Sequence, residues 1–333
     1  MDKIQIYKVK NNNKSDIYRS GAWIDGSNMK KLEEMLKMYL RTKYVVLTNS
    51  GTSALLASYW VLSRNYSNLI VDPYTFPATY QPARLLKYNV SFKKTIFLDK
   101  IEQKDKKQTL YTITHLFGQP NKIISSFKTK NFIEDACQSF GAERFGKKVG
   151  TFGALGCFSF YPTKTLHTCG HGGAVVTDNE DYYKMLKVFV ESGRLKGNIT
   201  NEISLNLRMD EIKAEFLLNE LRHYDERMDY QREIAKDFSS SISGSQPFLE
   251  EDRNDRHIYS TFNLIIDKRH AFKEYMDNLG IETVIYYGKE VLPSSERDKY
   301  VNITEKIVAI PCRWSLTKNE IARIKKALKG FFK

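Results

Sequence analysis

The sequence predicts an α/β fold, a mostly parallel central sheet flanked by helices, with a smaller α+β domain at the C-terminal end. Three observations predict it. A short β-branched run, "KYVVLTNS", ends in polar residues and is followed at once by "GTSALLASYWVLSR", which has helical composition. That strand, turn and helix pattern then repeats as far as "EDYYKMLKVFVESG". Beyond a long helical stretch, the last third of the chain returns to strands with flanking helices in what reads as a smaller lobe.

Taken in order, "SNMKKLEEMLKMYL" places Met29, Leu32, Met35, Leu36 and Leu40 near helical spacing, and Ser27 is positioned to cap that helix. "NLIVDPYTF" gives a strand and a loop, and "TYQPARLLKY" a helix. "VSFKKTIFLD" and "LYTITHLFG" read as strands. "SSFKTKNFIEDACQ" reads as a helix followed by the strand "NFIED". "FGALGCFSF" and "GGAVVTDN" are further strands. Residues 208–242 form a long, interrupted helical stretch. "YSTFNLIID", "AFKEYMDNLGIETVIYY" and "EIARIKKALKGFF" complete the smaller lobe. A chain of 333 residues favours two domains, and the expected division is 1–225 (with an N-terminal arm) and 226–333.

Composition narrows the function. The net charge of +13 admits either nucleic acid or a small phosphorylated substrate as partner. No zinc-finger or RNA-binding sheet motif and no arginine-rich arm is present. Basic residues are spread along the chain, as in "KVKNNNK" and "IEQKDKKQ", so no nucleic-acid partner is expected. The four cysteines include no CxxC pair, which predicts neither a metal site nor a disulfide framework. No apolar run of membrane-spanning length and no signal-peptide core is seen, so the expected location is cytoplasmic.

Four stretches carry candidate chemistry, each with an ordinary structural reading beside the functional one. "TNSGTSAL" lies between a strand and a helix. Its helix N-terminus, with Gly51 and the hydroxyls of Thr52 and Ser53, can hold a phosphate or can simply be a capped helix. "VDPYTFPAT" puts Phe76 in a loop after a strand, to stack on a flat ligand or to fill the core. "FIEDACQS" ends a strand on Asp135, at the edge where parallel sheets bind ligands. The carboxylate can hold a ring N–H or cap a helix. "SFYPTKTLHTCGHGG" offers Ser159 as a further phosphate hydroxyl. It also sets Lys164 between a strand and a glycine turn, as a desolvated Schiff-base lysine or a surface charge. Together, a phosphate cradle, a stacking ring, a carboxylate and a lysine are what pyridoxal 5'-phosphate requires.

With these motifs in place, the chain resembles the DegT/DnrJ/StrS family of sugar aminotransferases, in the aspartate aminotransferase superfamily of fold type I. The likeness runs from "SGAWIDGSNMKKLEEML" through "TNSGTSAL", "DPYTFPAT", "HLFGQP" and "IEDACQSFGAERFGKKVGTFGALGCFSFYPTKTL" to "LNLRMDEIKAEFLLNEL" and "AIPCRWSLTKNEIARI". It implies that Lys164 bonds the cofactor aldehyde and then shuttles the proton, and that Asp135 pairs with the pyridine nitrogen. It places Gln138 near the ring hydroxyl, Phe76 on the ring, and Thr52, Ser53 and Ser159 at the phosphate. Asn206 would reach the phosphate of the partner subunit's cofactor, which implies a homodimer with shared active sites. The implied reaction takes an amino group from glutamate, through pyridoxamine phosphate, to a nucleotide-linked keto sugar. Dehydratases of the family carry histidine where Lys164 stands, and a purely regulatory protein has no need of that lysine. Three departures stand out: His171 replaces the family's acidic residue in "GHGG", Cys137 takes a small-residue position, and the stretch after "TVIYYGKEVLP" is short.

Overall fold

Seven strands build one sheet in a computed structural model that describes residues 3–8, 17, 21–24, 26–96, 98–101, 108–195, 198–242, 249 and 251–332. Most of the basic runs "KVKNNNK" and "IEQKDKKQ" lies outside the described residues. The strands are β1 (Tyr44–Thr48), β2 (Asn68–Val71), β3 (Asn89–Phe92), β4 (Thr109–Thr114), β5 (Phe132–Asp135), β6 (Leu155–Ser159) and β7 (Gly173–Thr177). Their order across the sheet is β1-β7-β6-β5-β4-β2-β3. From β6 to β3 all pairings are parallel, and β7 runs antiparallel to both of its neighbours. Every residue of β4, β5 and β7 is buried, as expected of strands covered on both faces.

The flanking helices are α1 (Ser27–Leu40), α2 (Gly51–Leu62), α3 (Glu180–Val190), α4 (Glu211–Leu221) and α5 (Tyr224–Ser239). Helix α2 packs on β6 and β7, and α1 packs on α4. The cap of α1 differs from the expected one. Gly26, not Ser27, occupies the cap position, with no capping side chain of its own. Glu211 takes over the role, its carboxylate oxygens accepting the amides of Asn28 at 3.0 Å and Met29 at 3.1 Å. An anion at a helix N-terminus satisfies unpaired donors and meets the positive end of the dipole. The helix expected at "SSFKTK" is not formed: only Ser125 and Ser126 are helical, as the end of a 3-10 turn over Lys122–Ser126, and 127–130 are not helical. The "TYQPARLLKY" helix is likewise reduced to the short segment Gln81–Leu85 after a 3-10 turn.

The C-terminal part pairs β8 (Phe262–Ile265) antiparallel with β9 (Ile307–Ile310). Helices α6 (Arg269–Asn278) and α7 (Lys318–Phe331) bury Phe272, Met276, Ile324 and Leu328 against these strands. Thr317 and Glu320 form a reciprocal capping box that starts α7. Helix α5 spans both cores. Its Tyr224 and Met228 pack beneath the large sheet, whereas Ile234, Ala235 and Phe238 belong to the C-terminal cluster. Ile4, near the start of the chain, also joins the C-terminal cluster, pairing with Ile281 in parallel register. Among the described residues no helix is long and apolar enough to cross a membrane.

Candidate active site

The ends of β5 and β6, the start of β7 and the N-terminus of α2 meet at one edge of the sheet. In register, Asp135 lies beside Cys157 and Ser159 beside Gly173. Gly51 lets α2 approach this edge. A Cβ on it would stand 2.7 Å from Ser159 Cβ and 3.1 Å from Cys137 Sγ. The helix therefore presents its free N–H groups beside the Ser159 hydroxyl, with Ser50 as cap accepting the Ser53 amide at 3.1 Å.

Asp135 is buried. Its Oδ2 accepts the Thr79 hydroxyl at 2.6 Å and its Oδ1 accepts the Cys137 amide at 3.1 Å. A turn, not a helix, follows it, so the carboxylate caps no helix. Lys164 sits in the turn after β6, its amide bonded to the Tyr161 carbonyl at 2.8 Å. Burial holds its ammonium below the ordinary value of 10.5, opposed by Cys137 and by Asp135. The same burial pushes the Cys137 thiol well above its usual range, so Cys137 packs as a neutral group. A lysine of this kind reaches its neutral, nucleophilic form more readily than a solvated one.

A cavity of about 570 Å³ opens above these groups. Thr52, Phe76, Asp135, Gln138, Ser159 and Lys164 all line it. Phe76 is 56% exposed, so its ring faces this space and is not core filling. Gln138 is fixed at both ends, Oε1 accepting the Phe117 amide at 3.0 Å and Nε2 donating to the Tyr287 hydroxyl at 3.0 Å. Two of the expected residues stand apart. The Ser53 hydroxyl donates to Asn49 Oδ1 at 2.6 Å and does not line the cavity. Asn206 is exposed on a separate hollow of about 220 Å³ with Asn49, Arg208 and Lys213. His171 lines the main cavity beside Tyr161, with ring centroids 5.2 Å apart.

Two contributors were not found by sequence reasoning. Thr79 lies within the quoted "DPYTFPAT" stretch, so its motif was visible although its bond to Asp135 was not. Tyr287 comes from the C-terminal part, and only the fold brings it to Gln138. The set of donors fits pyridoxal phosphate. A helix N-terminus with hydroxyls suits its phosphate, a strand-end carboxylate suits its ring nitrogen, and a desolvated amine suits its aldehyde. Among the described residues no cluster of His, Cys, Asp or Glu is placed to hold a metal ion.

The DegT/DnrJ/EryC1/StrS aminotransferase family model matches residues 5–329. The chain belongs to this family and is an aminotransferase. It is 26% identical over 288 residues to UDP-2-acetamido-2-deoxy-3-oxo-D-glucuronate aminotransferase of Pseudomonas aeruginosa, covering 81% of this chain and 79% of that one. It is 26% identical over 347 residues to dTDP-3-amino-3,6-dideoxy-alpha-D-galactopyranose transaminase of Aneurinibacillus thermoaerophilus, covering 95% and 93%. The crystal structure of a DegT DnrJ EryC1 StrS aminotransferase from Brucella abortus superposes with a TM-score of 0.85 at 23% identity, over 95% of this chain and 93% of that one. The α/β fold, with its mostly parallel sheet, is the one these aminotransferases share.

Proposed function

We propose that this family member moves an amino group from glutamate to a nucleotide-linked keto sugar, with pyridoxal phosphate as cofactor. The single observation that carries the reading is the placement of the desolvated Lys164 amine and the Asp135 carboxylate in one cavity, beside the N-terminus of α2. The names of the two relatives, both sugar-nucleotide transaminases, support the substrate class.

Each residue then has a task. Asp135, oriented by the Thr79 hydroxyl and the Cys137 amide, would pair with the cofactor's ring nitrogen. Phe76 would stack on the ring, and Gln138 would serve the ring hydroxyl, both from the cavity wall. Thr52, Ser159 and the α2 N–H groups hold the phosphate, with Ser53 bracing that turn through Asn49. Bound there, pyridoxal phosphate supplies an electron sink for the amino-bearing carbon. Lys164 would take the proton from the α-carbon of the amino donor as general base and, as general acid, deliver it to the carbon that bore the cofactor aldehyde. Asn206 of the partner subunit completes the phosphate site in a homodimer with shared active sites. The excess of basic residues favours capture of an anionic sugar nucleotide. The test is a single turnover of the cofactor-loaded protein with glutamate. One equivalent of 2-oxoglutarate per site is expected, and none would sink the reading.

A further inference from the structure

We propose that Tyr287 is a specificity-determining residue whose hydroxyl donates a hydrogen bond to an acceptor oxygen of the sugar nucleotide in the cavity. This rests on the sugar-nucleotide reading above and names one residue that recognises the sugar.

The Phe117 amide donates to Gln138 Oε1 at 3.0 Å, which fixes the carboxamide orientation, because a flipped amide would set NH₂ against N–H. Gln138 Nε2 is therefore the donor to Tyr287 Oη, at 3.0 Å. A phenol has one hydrogen to give and two lone pairs to accept with. Gln138 uses a lone pair and leaves the Tyr287 hydrogen uncommitted, and no described residue accepts it. Burial pushes the phenol above its ordinary range, so it stays protonated and remains a donor at neutral pH.

The donor is also held in place. The Tyr287 amide donates to the Tyr74 hydroxyl at 2.9 Å, and Tyr74 in turn donates to the Tyr286 carbonyl at 3.0 Å. The Tyr287 ring lies 6.0 Å from Phe117 and 6.4 Å from Phe76, centroid to centroid. A neutral, fixed donor in an aromatic wall discriminates between ligands by the acceptor that they present, because burying it without one is unfavourable. An oxygen-rich sugar ring offers such acceptors.

The test measures calorimetric binding of two unreactive probes, UDP-N-acetylglucosamine and dTDP-glucose, to cofactor-loaded wild-type protein and to Tyr287→Phe. Release of 2-oxoglutarate from glutamate is followed in parallel. The substitution removes one oxygen and keeps the ring. Affinity for the better probe is expected to fall about twofold to twelvefold, as loss of one neutral hydrogen bond predicts. The glutamate half-reaction is expected to change less. Unchanged probe affinity would overturn the proposal. So would equal losses in both measurements, which would mark Tyr287 as a support of the whole site. Wild-type protein that binds neither probe would overturn it as well. Tyr287-dependent probe binding without 2-oxoglutarate release would leave this inference standing and refute the glutamate reaction.

Discussion

The Thr79 hydroxyl donates to Asp135 Oδ2 over 2.6 Å, and both groups are buried. Thr79 follows β2 and Asp135 ends β5, so the bond ties the loop that carries Phe76 to the carboxylate assigned to the cofactor ring. Thr79→Val keeps the shape and removes the donor. It is expected to destabilise the protein by about 1–3 kcal/mol, the effect of leaving a buried acceptor short of a partner. Urea unfolding of the two proteins measures this. An unchanged midpoint would show that the bond contributes nothing.

Glu134, next to Asp135 in β5, faces the other way and organises the turn before β6. Its Oε2 meets His115 Nε2 at 2.9 Å and the Gly150 amide at 2.7 Å. Its Oε1 accepts the amides of Phe152 at 2.6 Å and Gly153 at 2.7 Å. His115 Nδ1 accepts the Asn121 amide, so the ring's proton sits on Nε2 and points at Glu134. Glu134→Gln must turn its NH₂ toward two of these donors whichever way the amide lies. A loss of at least about 2 kcal/mol is expected, at about 1–3 kcal/mol for each unpaired buried group. Chemical denaturation checks it, and a loss below about 1 kcal/mol would contradict this account of the turn.

Lys164 makes stability depend on pH in a defined direction. Its folded value lies below the ordinary 10.5, so the unfolded chain binds its proton more tightly. The resulting destabilisation is complete below the lowered value and vanishes as pH rises to 10.5. In the cofactor-free protein, Lys164→Met is therefore expected to be more stable than wild type at neutral pH, with a gap that narrows as the pH is raised. Thermal melts across that range measure the gap. A gap that widens with pH would show that the ammonium is stabilised in the fold.

Much of this was legible in the sequence, for reasons that particular residues make plain. The helix at 27–40 and the strand at 44–48 follow from local pattern, and the structure places both where the spacing does. Thr52, Phe76, Asp135, Gln138, Ser159 and Lys164 reach one cavity because each sits at or beside a chain segment that leaves the same edge of the sheet. The Glu211 cap of α1 was not legible, because the capping carboxylate is distant in sequence from the helix it closes. Tyr287 escaped for the same reason, since its partners Gln138 and Tyr74 are brought to it only by the packing of the C-terminal part. The helix expected at "SSFKTK" is absent because the 3-10 turn that Asn121 caps ends within it, at Ser126, and Phe127 is extended.

The most direct test of the central claim is the absorbance spectrum of the protein with pyridoxal phosphate, for wild type and Lys164→Ala, before and after addition of glutamate. The account predicts a lysine-bound cofactor band in the wild type that glutamate converts to the amine form. It also predicts that Lys164→Ala lacks the lysine-bound band. A wild-type spectrum that matches free cofactor, or a variant that still forms the band, would contradict the assignment of Lys164.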